Sequence, residues 1–327
     1  MQDFKNIVAL GAGRMGRGIA HMFAYAGFEV TLLDIKDRDE ADFRRLEQSA
    51  YDEILSNMVL LTSLDVMTSE QVEKALGLIK VCSISKVVEV LARADIIIEG
   101  VPETIEAKQY ALQKISDHSR NDTLVASTTS TMLVNELQKK ISHPQRFINT
   151  HFLNPAFLIP LVEVSPGRET DEEVVDSVMN LFRSIGKQPV RCTASPGYII
   201  PRLQSLIIAE ACRMVDEGVV TAEDLDKAIK YGFGPRFASM GIMEFADWGG
   251  IDTVCFAGFQ LAKALDSPSH APPDVVSRML EDGRTGLRAG QGYYDYREMD
   301  VAAWQKEKLS RFVTVLQGLD QIPAAGV

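Results

Sequence analysis

Ile7-Val8-Ala9-Leu10-Gly11-Ala12-Gly13-Arg14-Met15-Gly16-Arg17-Gly18-Ile19-Ala20 is the stretch that decides the fold. A short apolar run ends in a glycine-rich turn, and a helical pattern through Ile19, Ala20, Phe23 and Ala24 follows at once. Strand, GxGxxG and helix in that order form the context a dinucleotide-binding turn requires. Gly11 permits the tight turn, Gly13 lets a pyrophosphate approach the backbone, and Gly16 lets helix and sheet pack closely. Arg14 and Met15 complete the loop, and the first N–H groups of the helix are left aimed at the phosphates. The next apolar run ends in Asp34, 18 residues beyond Gly16. A carboxylate there accepts hydrogen bonds from the adenine ribose hydroxyls and repels the extra phosphate of NADP, so the expected cofactor is NAD. Arg38 lies close by with the opposite charge.

The βαβ rhythm continues outward from this unit and predicts a mostly parallel sheet covered by helices. Strands are expected at residues 7–10, 29–34, 78–82, 96–99, 124–127, 147–150, 161–164 and 190–192. The charged helical stretch 39–75 is too long for one crossover helix and predicts a helical hairpin projecting from the sheet. A further helix is expected at 171–185. The rhythm changes at Ser195-Pro196-Gly197, a turn signal. Beyond it the spacing is helical, with 266–274 a loop and 304–317 a last amphipathic helix. Two domains are expected, an α/β domain over 1–194 and an all-α domain over 195–327.

With 327 residues and 46% hydrophobic content the chain can form well-packed cores. Its net charge of -11 argues against nucleic acid or an anionic membrane as a partner, so any acidic ligand must be held locally. Cys82, Cys192, Cys212 and Cys255 form no CxxC pair, which gives neither a zinc knuckle nor a disulfide framework and fits a reducing cytoplasm. No signal-peptide layout or membrane-spanning run is apparent, and a cytoplasmic location is expected.

Two further constellations carry chemistry. Glu99-Gly100-Val101-Pro102-Glu103 closes the fourth strand, with Lys108 on the helix after it. Val101 is placed to pack on a ribose, with Glu103 and Lys108 reaching toward the nicotinamide half. A helix-start carboxylate with a surface lysine fits these residues equally well. The second is His151, at the end of a strand, with Glu163 twelve residues later inside Leu161-Val162-Glu163-Val164. A carboxylate in an apolar strand needs a donor, and a tight reversal through Asn154-Pro155 would supply His151. Oxidising an alcohol by hydride loss requires removal of the hydroxyl proton, which suits an imidazole oriented by a carboxylate. A core histidine beside a water-facing glutamate remains open on the residues alone. His21, His118, His143 and His270 read as structural or solvated.

Together these residues resemble the L-3-hydroxyacyl-CoA dehydrogenase family over nearly the whole chain. The similarity rests on GAGRMGRGIA (11–20), IIEGVPE (97–103), STTS (127–130), HFLNP (151–155), LVEV (161–164), SPGYI (195–199) and GQGYYDY (290–296). It implies a Rossmann-like domain, a helical dimerisation domain and therefore a homodimer. It also implies an active site in a cleft between the two, and oxidation of a 3-hydroxy group on a small acidic substrate to a 3-oxo product. By the same resemblance His151 is the base, Glu163 its orienting partner, Ser130 a donor to the substrate oxygen, and Asn154 a nicotinamide or substrate contact. Trp248 and many methionines in the helical half suit an apolar face hidden in a dimer.

Two departures bear on the substrate. The asparagine the family usually carries shortly after PGF is Pro201 here, so its side-chain hydrogen bond is lost, although proline suits a first helical turn. Gly232-Phe233-Gly234-Pro235-Arg236-Phe237-Ala238 replaces a shorter glycine–proline turn. With the extra helix after Tyr296, it resembles the gulonate and carnitine dehydrogenase branch, whose substrates are free hydroxy acids. Arg236 can clamp a carboxylate bidentately, and a surface or interface ion pair fits an arginine in a loop as well. The hairpin 39–75 is acidic on balance, with Arg44 and Arg45 among few cations, and does not advertise a coenzyme A site. Three functions follow as expectations: a 3-hydroxyacyl-CoA dehydrogenase, a dehydrogenase of a free hydroxy acid, and a dinucleotide-binding protein without catalysis.

Overall fold

A computed structural model describes residues 4–322. The chain divides into two compact units, Met1–Ile207 and Ile208–Val327. The first is built on an eight-stranded sheet of order β3-β2-β1-β4-β5-β6-β7-β8. Its strands are β1 (Ile7–Leu10), β2 (Val30–Leu33), β3 (Ile79–Cys82), β4 (Ile96–Glu99), β5 (Leu124–Ser127), β6 (Phe147–Phe152), β7 (Leu161–Pro166) and β8 (Gln188–Arg191). All neighbours pair parallel except β6 and β7. The order reverses between β1 and β4, the switch point at which open α/β sheets form a ligand crevice.

Alternation along each strand divides the core in two. Ile7 and Ala9 of β1 enter one cluster with α1 (Arg14–Tyr25) and α7 (Glu172–Ser184). Val8 and Leu10 enter the other, against α4 (Val87–Arg93), α5 (Ile105–His118) and α6 (Val134–Gln138). Both faces are covered, which is why the central strands read as unbroken apolar runs.

The stretch 39–75 forms a hairpin of α2 (Glu40–Ser63) and α3 (Ser69–Gly77). Asp39 caps the first helix, and a Thr68/Gln71 capping box opens the second. The hairpin does not simply project, as the sequence led us to expect. Ala50, Ile54, Met58 and Leu61 recur at helical spacing and are buried in the same cluster as α1, and Arg17 of α1 reaches Glu53 at 2.5 Å. A continuous apolar stripe on α2 draws it onto that face. Strand bounds also shift: β6 runs two residues past 150, so His151 lies within it, and β8 begins at Gln188 rather than 190. Pairing with β7 extends both, since ladder hydrogen bonds override the weak local signal at Gln188 and Pro189.

α8 (Ile200–Asp216) spans the division between the units. The second unit continues with α9 (Ala222–Ala228), a π-helical turn at Ile229–Phe233, α10 (Gly234–Ser239), α11 (Ile242–Gly249), α12 (Ile251–Ala264), α13 (Asp274–Glu281) and α14 (Val301–Gly318). Ile251, Cys255, Val276 and Met279 form its small core. The fully buried Asp247 accepts from the Tyr293 and Tyr294 amides and the Tyr296 hydroxyl. It thereby folds the Gly-Tyr-Tyr segment back onto α11. Leu206, Ile208, Phe256 and Phe259 on α8 and α12 are more than half exposed. Among the described residues no helix is long and apolar enough to cross a membrane.

Candidate active site

β1 delivers the chain into the turn that opens α1. Gly11 has φ +102°, and a Cβ on it would lie 3.1 Å from the backbone of Gly100 and Val101. On Gly16 a Cβ would lie 1.8 Å from the Gly11 carbonyl oxygen, whereas one on Gly13 would meet nothing within 4 Å. Gly11 and Gly16 are thus required by close packing, and Gly13 faces open space beside the N-terminus of α1. That space is a cavity of about 690 Å³ lined by Gly11, Gly13, Arg14, Met15, Asp34, Val101, Glu103 and Ser130, among others. Asp34, 3% exposed, is held by Arg38 Nε at 2.6 Å, and both residues line the cavity. An open glycine cradle, a free helix N-terminus and a carboxylate one strand away fit an adenine dinucleotide.

Lys108 has a different surrounding from the one its sequence position implied. It is fully buried, does not line the cavity, and donates to both oxygens of Glu99 at 2.9 and 3.0 Å. Glu99 also accepts from the Val101 amide at 2.7 Å and the Ser127 hydroxyl at 2.7 Å. This carboxylate was not singled out from the sequence, although an acid ending the apolar run Ile96-Ile97-Ile98 carries the same signal as Glu163. Glu103 accepts from the Thr129 and Thr131 hydroxyls and from the amides of Ser130 (3.0 Å) and Thr131 (2.9 Å). Burial pushes Glu103 up, but these donors and Lys108 outweigh it and hold the group below the usual carboxylate value. The two acids and one ammonium fix the loops after β4 and β5, which bear Val101 and Ser130.

In the antiparallel pair, His151 of β6 stands directly opposite Glu163 of β7. His151 Nδ1 lies 2.6 Å from Glu163 Oε2, with the residues 5% and 0% exposed. The other oxygen, Oε1, accepts from the Ile199 and Ile200 amides, each at 2.8 Å. Burial raises the Glu163 pKa, and the three donors lower it further than burial raises it, so the carboxylate stays ionised. An ionised acceptor fixes the proton on Nδ1 and leaves the Nε2 lone pair available. Among the described residues Nε2 has no hydrogen-bond partner. The Tyr198 ring stacks on the imidazole, centroids 4.9 Å apart.

Asn154 is exposed in the connection 153–160, a longer reversal than the tight turn expected at Asn154-Pro155, whose peptide bond is cis. Lys187 steadies this connection from beneath, donating to the carbonyls of Ala156 (2.6 Å) and Ile159 (2.8 Å). Burial lowers its pKa to about 8. Pro201 occupies the first turn of α8 and is half-buried. In the second unit, Arg236 is exposed, lies 4.6 Å over the Phe245 ring, and has no acidic partner among the described residues.

Sheet order, the glycine cradle and the carboxylate of Asp34 just beyond β2 define a dinucleotide-binding domain of the Rossmann class. The profile of the 3-hydroxyacyl-CoA dehydrogenase NAD-binding domain matches residues 6–195, and that of the 3-hydroxyacyl-CoA dehydrogenase C-terminal domain matches 197–296. The chain belongs to the 3-hydroxyacyl-CoA dehydrogenase family and is an NAD-dependent oxidoreductase acting on CH–OH. It is 34% identical to a 3-hydroxybutyryl-CoA dehydrogenase of Bradyrhizobium diazoefficiens, over 90% of this chain and 96% of that one. It is 30% identical to the 5-formyl-3-hydroxy-2-methylpyridine 4-carboxylate 5-dehydrogenase of Mesorhizobium japonicum, over 97% and 98%. Among solved structures, a 3-hydroxyacyl-CoA dehydrogenase of Archaeoglobus fulgidus matches with a TM-score of 0.74 and 27% identity, covering 97% of this chain and 99% of that one.

Proposed function

We propose that this protein interconverts a 3-hydroxyacyl-CoA and its 3-oxo product, on a short chain of the hydroxybutyryl type, with His151 as the general base. The observation that carries this reading is the Glu163 carboxylate, held by two backbone amides and bonded to His151 Nδ1, which leaves Nε2 free. In the oxidative direction Nε2 takes the hydroxyl proton while Glu163 stabilises the imidazolium that forms. Bound NAD supplies the hydride acceptor at the C–H carbon. Ser130 donates to the substrate oxygen, and Asn154 contacts the nicotinamide or the substrate. Gly11, Gly13, Gly16 and the start of α1 hold the pyrophosphate, with Arg14 and Met15 along the same loop. Asp34 holds the adenine ribose, Val101 packs against the nucleotide, and Glu103 faces the nicotinamide half. Lys108 serves this site through Glu99 and Glu103.

A second reading keeps this chemistry on a free hydroxy acid. It is favoured by the hairpin's cations, since Arg44, Arg45 and Lys74 are engaged with Glu40, Asp42 and Glu70 on their own helices. Coenzyme A phosphates would have to compete for them. Arg236, by contrast, has no acidic partner among the described residues, and α14 lies beyond the matched family domains. The relative named for a pyridine carboxylate is matched over 97% of the chain, α14 included. The exposed apolar residues of α8 and α12 support a homodimer.

The test follows NADH oxidation with acetoacetyl-CoA beside a panel of free 3-oxo acids, with His151→Ala as control. Turnover of acetoacetyl-CoA that is abolished in the variant is expected. Turnover of a free acid alone selects the second reading. Tight NADH binding with no turnover of any compound would instead mean a dinucleotide-binding protein without catalysis.

A further inference from the structure

Tyr198 follows Gly197, and both residues have positive φ, +45° and +75°. A tyrosine in that region is uncommon and costs on the order of 1–3 kcal/mol, so it persists only where its surroundings hold it. Three sets of contacts hold this one. Its ring stacks on the His151 imidazole, 9° from parallel with centroids 4.9 Å apart. Its buried hydroxyl donates to the Thr129 carbonyl at 2.7 Å and accepts from Asn149 Nδ2 at 3.1 Å. Asn149 Nδ2 donates in turn to the Met132 carbonyl at 3.1 Å. Finally, the next two residues supply the amides that hold Glu163.

One turn therefore touches the base, the base's carboxylate and the loop after β5. That loop carries Ser130 and wraps Glu103. The Ser-rich loop leaves the sheet at Ser127, the last β5 residue paired with β6, and Tyr198 bridges from that loop to the imidazole.

We infer that Tyr198 is a positioning residue: its ring fixes the plane of the imidazole, and its hydroxyl locks the Ser130 loop at a set distance from the base. Burial raises the phenol's pKa well above its ordinary value, so the hydroxyl keeps its proton and remains a donor to Thr129 over the working pH range. The inference rests on His151 being the base, and the experiment separates the two.

Tyr198→Phe keeps the stack and removes the tether, whereas Tyr198→Leu removes both. Each variant, beside His151→Ala, is assayed with NADH and the most rapidly reduced compound of the acetoacetyl-CoA and free-acid panel. NADH Kd is measured by fluorescence, and the His151 Nδ1–H resonance is followed in 15N-histidine-labelled protein. For Tyr198→Phe we expect kcat to fall about tenfold, the scale of one buried hydrogen bond, with substrate KM and NADH Kd within about twofold of wild type. For Tyr198→Leu we expect a fall of about a hundredfold, the scale of a misplaced catalytic group. Its Nδ1–H signal broadens into exchange, while Tyr198→Phe retains it. The Nδ1–H readout needs no substrate. The inference is overturned if both tyrosine variants match wild type in kcat and in the Nδ1–H signal while His151→Ala is inactive. It is equally overturned if they lose only thermal stability, or if their loss follows a weaker NADH Kd. Full activity in His151→Ala instead defeats the reading of His151 as base.

Discussion

Glu163→Gln is close to isosteric and isolates what the buried charge does. The Ile199 and Ile200 amides demand an acceptor, so the glutamine oxygen takes the place of Oε1. Its amide NH2 then faces His151 Nδ1, where Oε2 had accepted at 2.6 Å. Two donors cannot share that contact, so the ring adopts the opposite tautomer, with its proton on Nε2 and no lone pair for the substrate. Reaction requires the Nδ1–H tautomer, in which the glutamine NH2 loses its acceptor: the lost hydrogen bond to a charged group is worth about 1.5–3 kcal/mol, and the buried donor then left unpaired costs about 1–3 kcal/mol more. With Glu163 fully buried, water cannot repair the loss. A combined penalty of about 4 kcal/mol corresponds to a fall in kcat of about 10³. The assay is steady-state NADH absorbance at saturating substrate, with NADH Kd by fluorescence unchanged as the check on the fold. A kcat within about tenfold of wild type, or a loss confined to KM, would refute the tautomer argument.

Gly16→Ala should abolish NADH binding with only moderate destabilisation, because its Cβ would lie 1.8 Å from the Gly11 carbonyl and displace the cradle. Fluorescence titration that shows wild-type affinity would contradict this. Asp34→Ser should weaken NADH about tenfold through loss of charged hydrogen bonds and should tighten NADPH, since Arg38 is released from its 2.6 Å contact; parallel titrations decide it. His21 is fully buried with neither ring nitrogen partnered among the described residues, and burial, with Lys187 nearby, lowers its pKa from 6.5 to about 4. Below pH 6.5 the unfolded chain binds the proton more readily, so the neutral histidine's contribution is complete above pH 6.5 and is lost as pH falls toward 4. The loss amounts to about 3 kcal/mol. Denaturant midpoints measured across that range should slope in wild type and flatten in His21→Leu; an unchanged slope assigns the acid sensitivity to other groups.

Much of the first unit could be read in the residues because its signals are local. The glycine turn, the spacing to Asp34 and the alternating apolar runs each occupy a few adjacent positions, and the sheet order follows from their sequence. The contact between His151 and Glu163 was legible because an acid in an apolar strand must find a donor, and only twelve residues separate the two. Lys108 was misjudged for the opposite reason. Helical spacing gives no sign that its ammonium turns inward to Glu99, nine residues back. Tyr198 was read only as part of a motif, since its partners Asn149 and Thr129 lie 49 and 69 positions away and meet it only through the fold. The packing of α2 onto α1 was masked by the dense charge on its outer side.

Because β6 and β7 run in opposite directions, the histidine and its acid occupy one rung of a ladder whose side chains change sides at every step. Adding or deleting one residue within either strand would leave Val162 or Val164 opposite His151 and turn the acid toward the other layer. The same change between 155 and 160, beyond Asn154, would leave this rung in register. The hairpin therefore behaves like a reading frame: it tolerates variation at its tip and almost none along its rails.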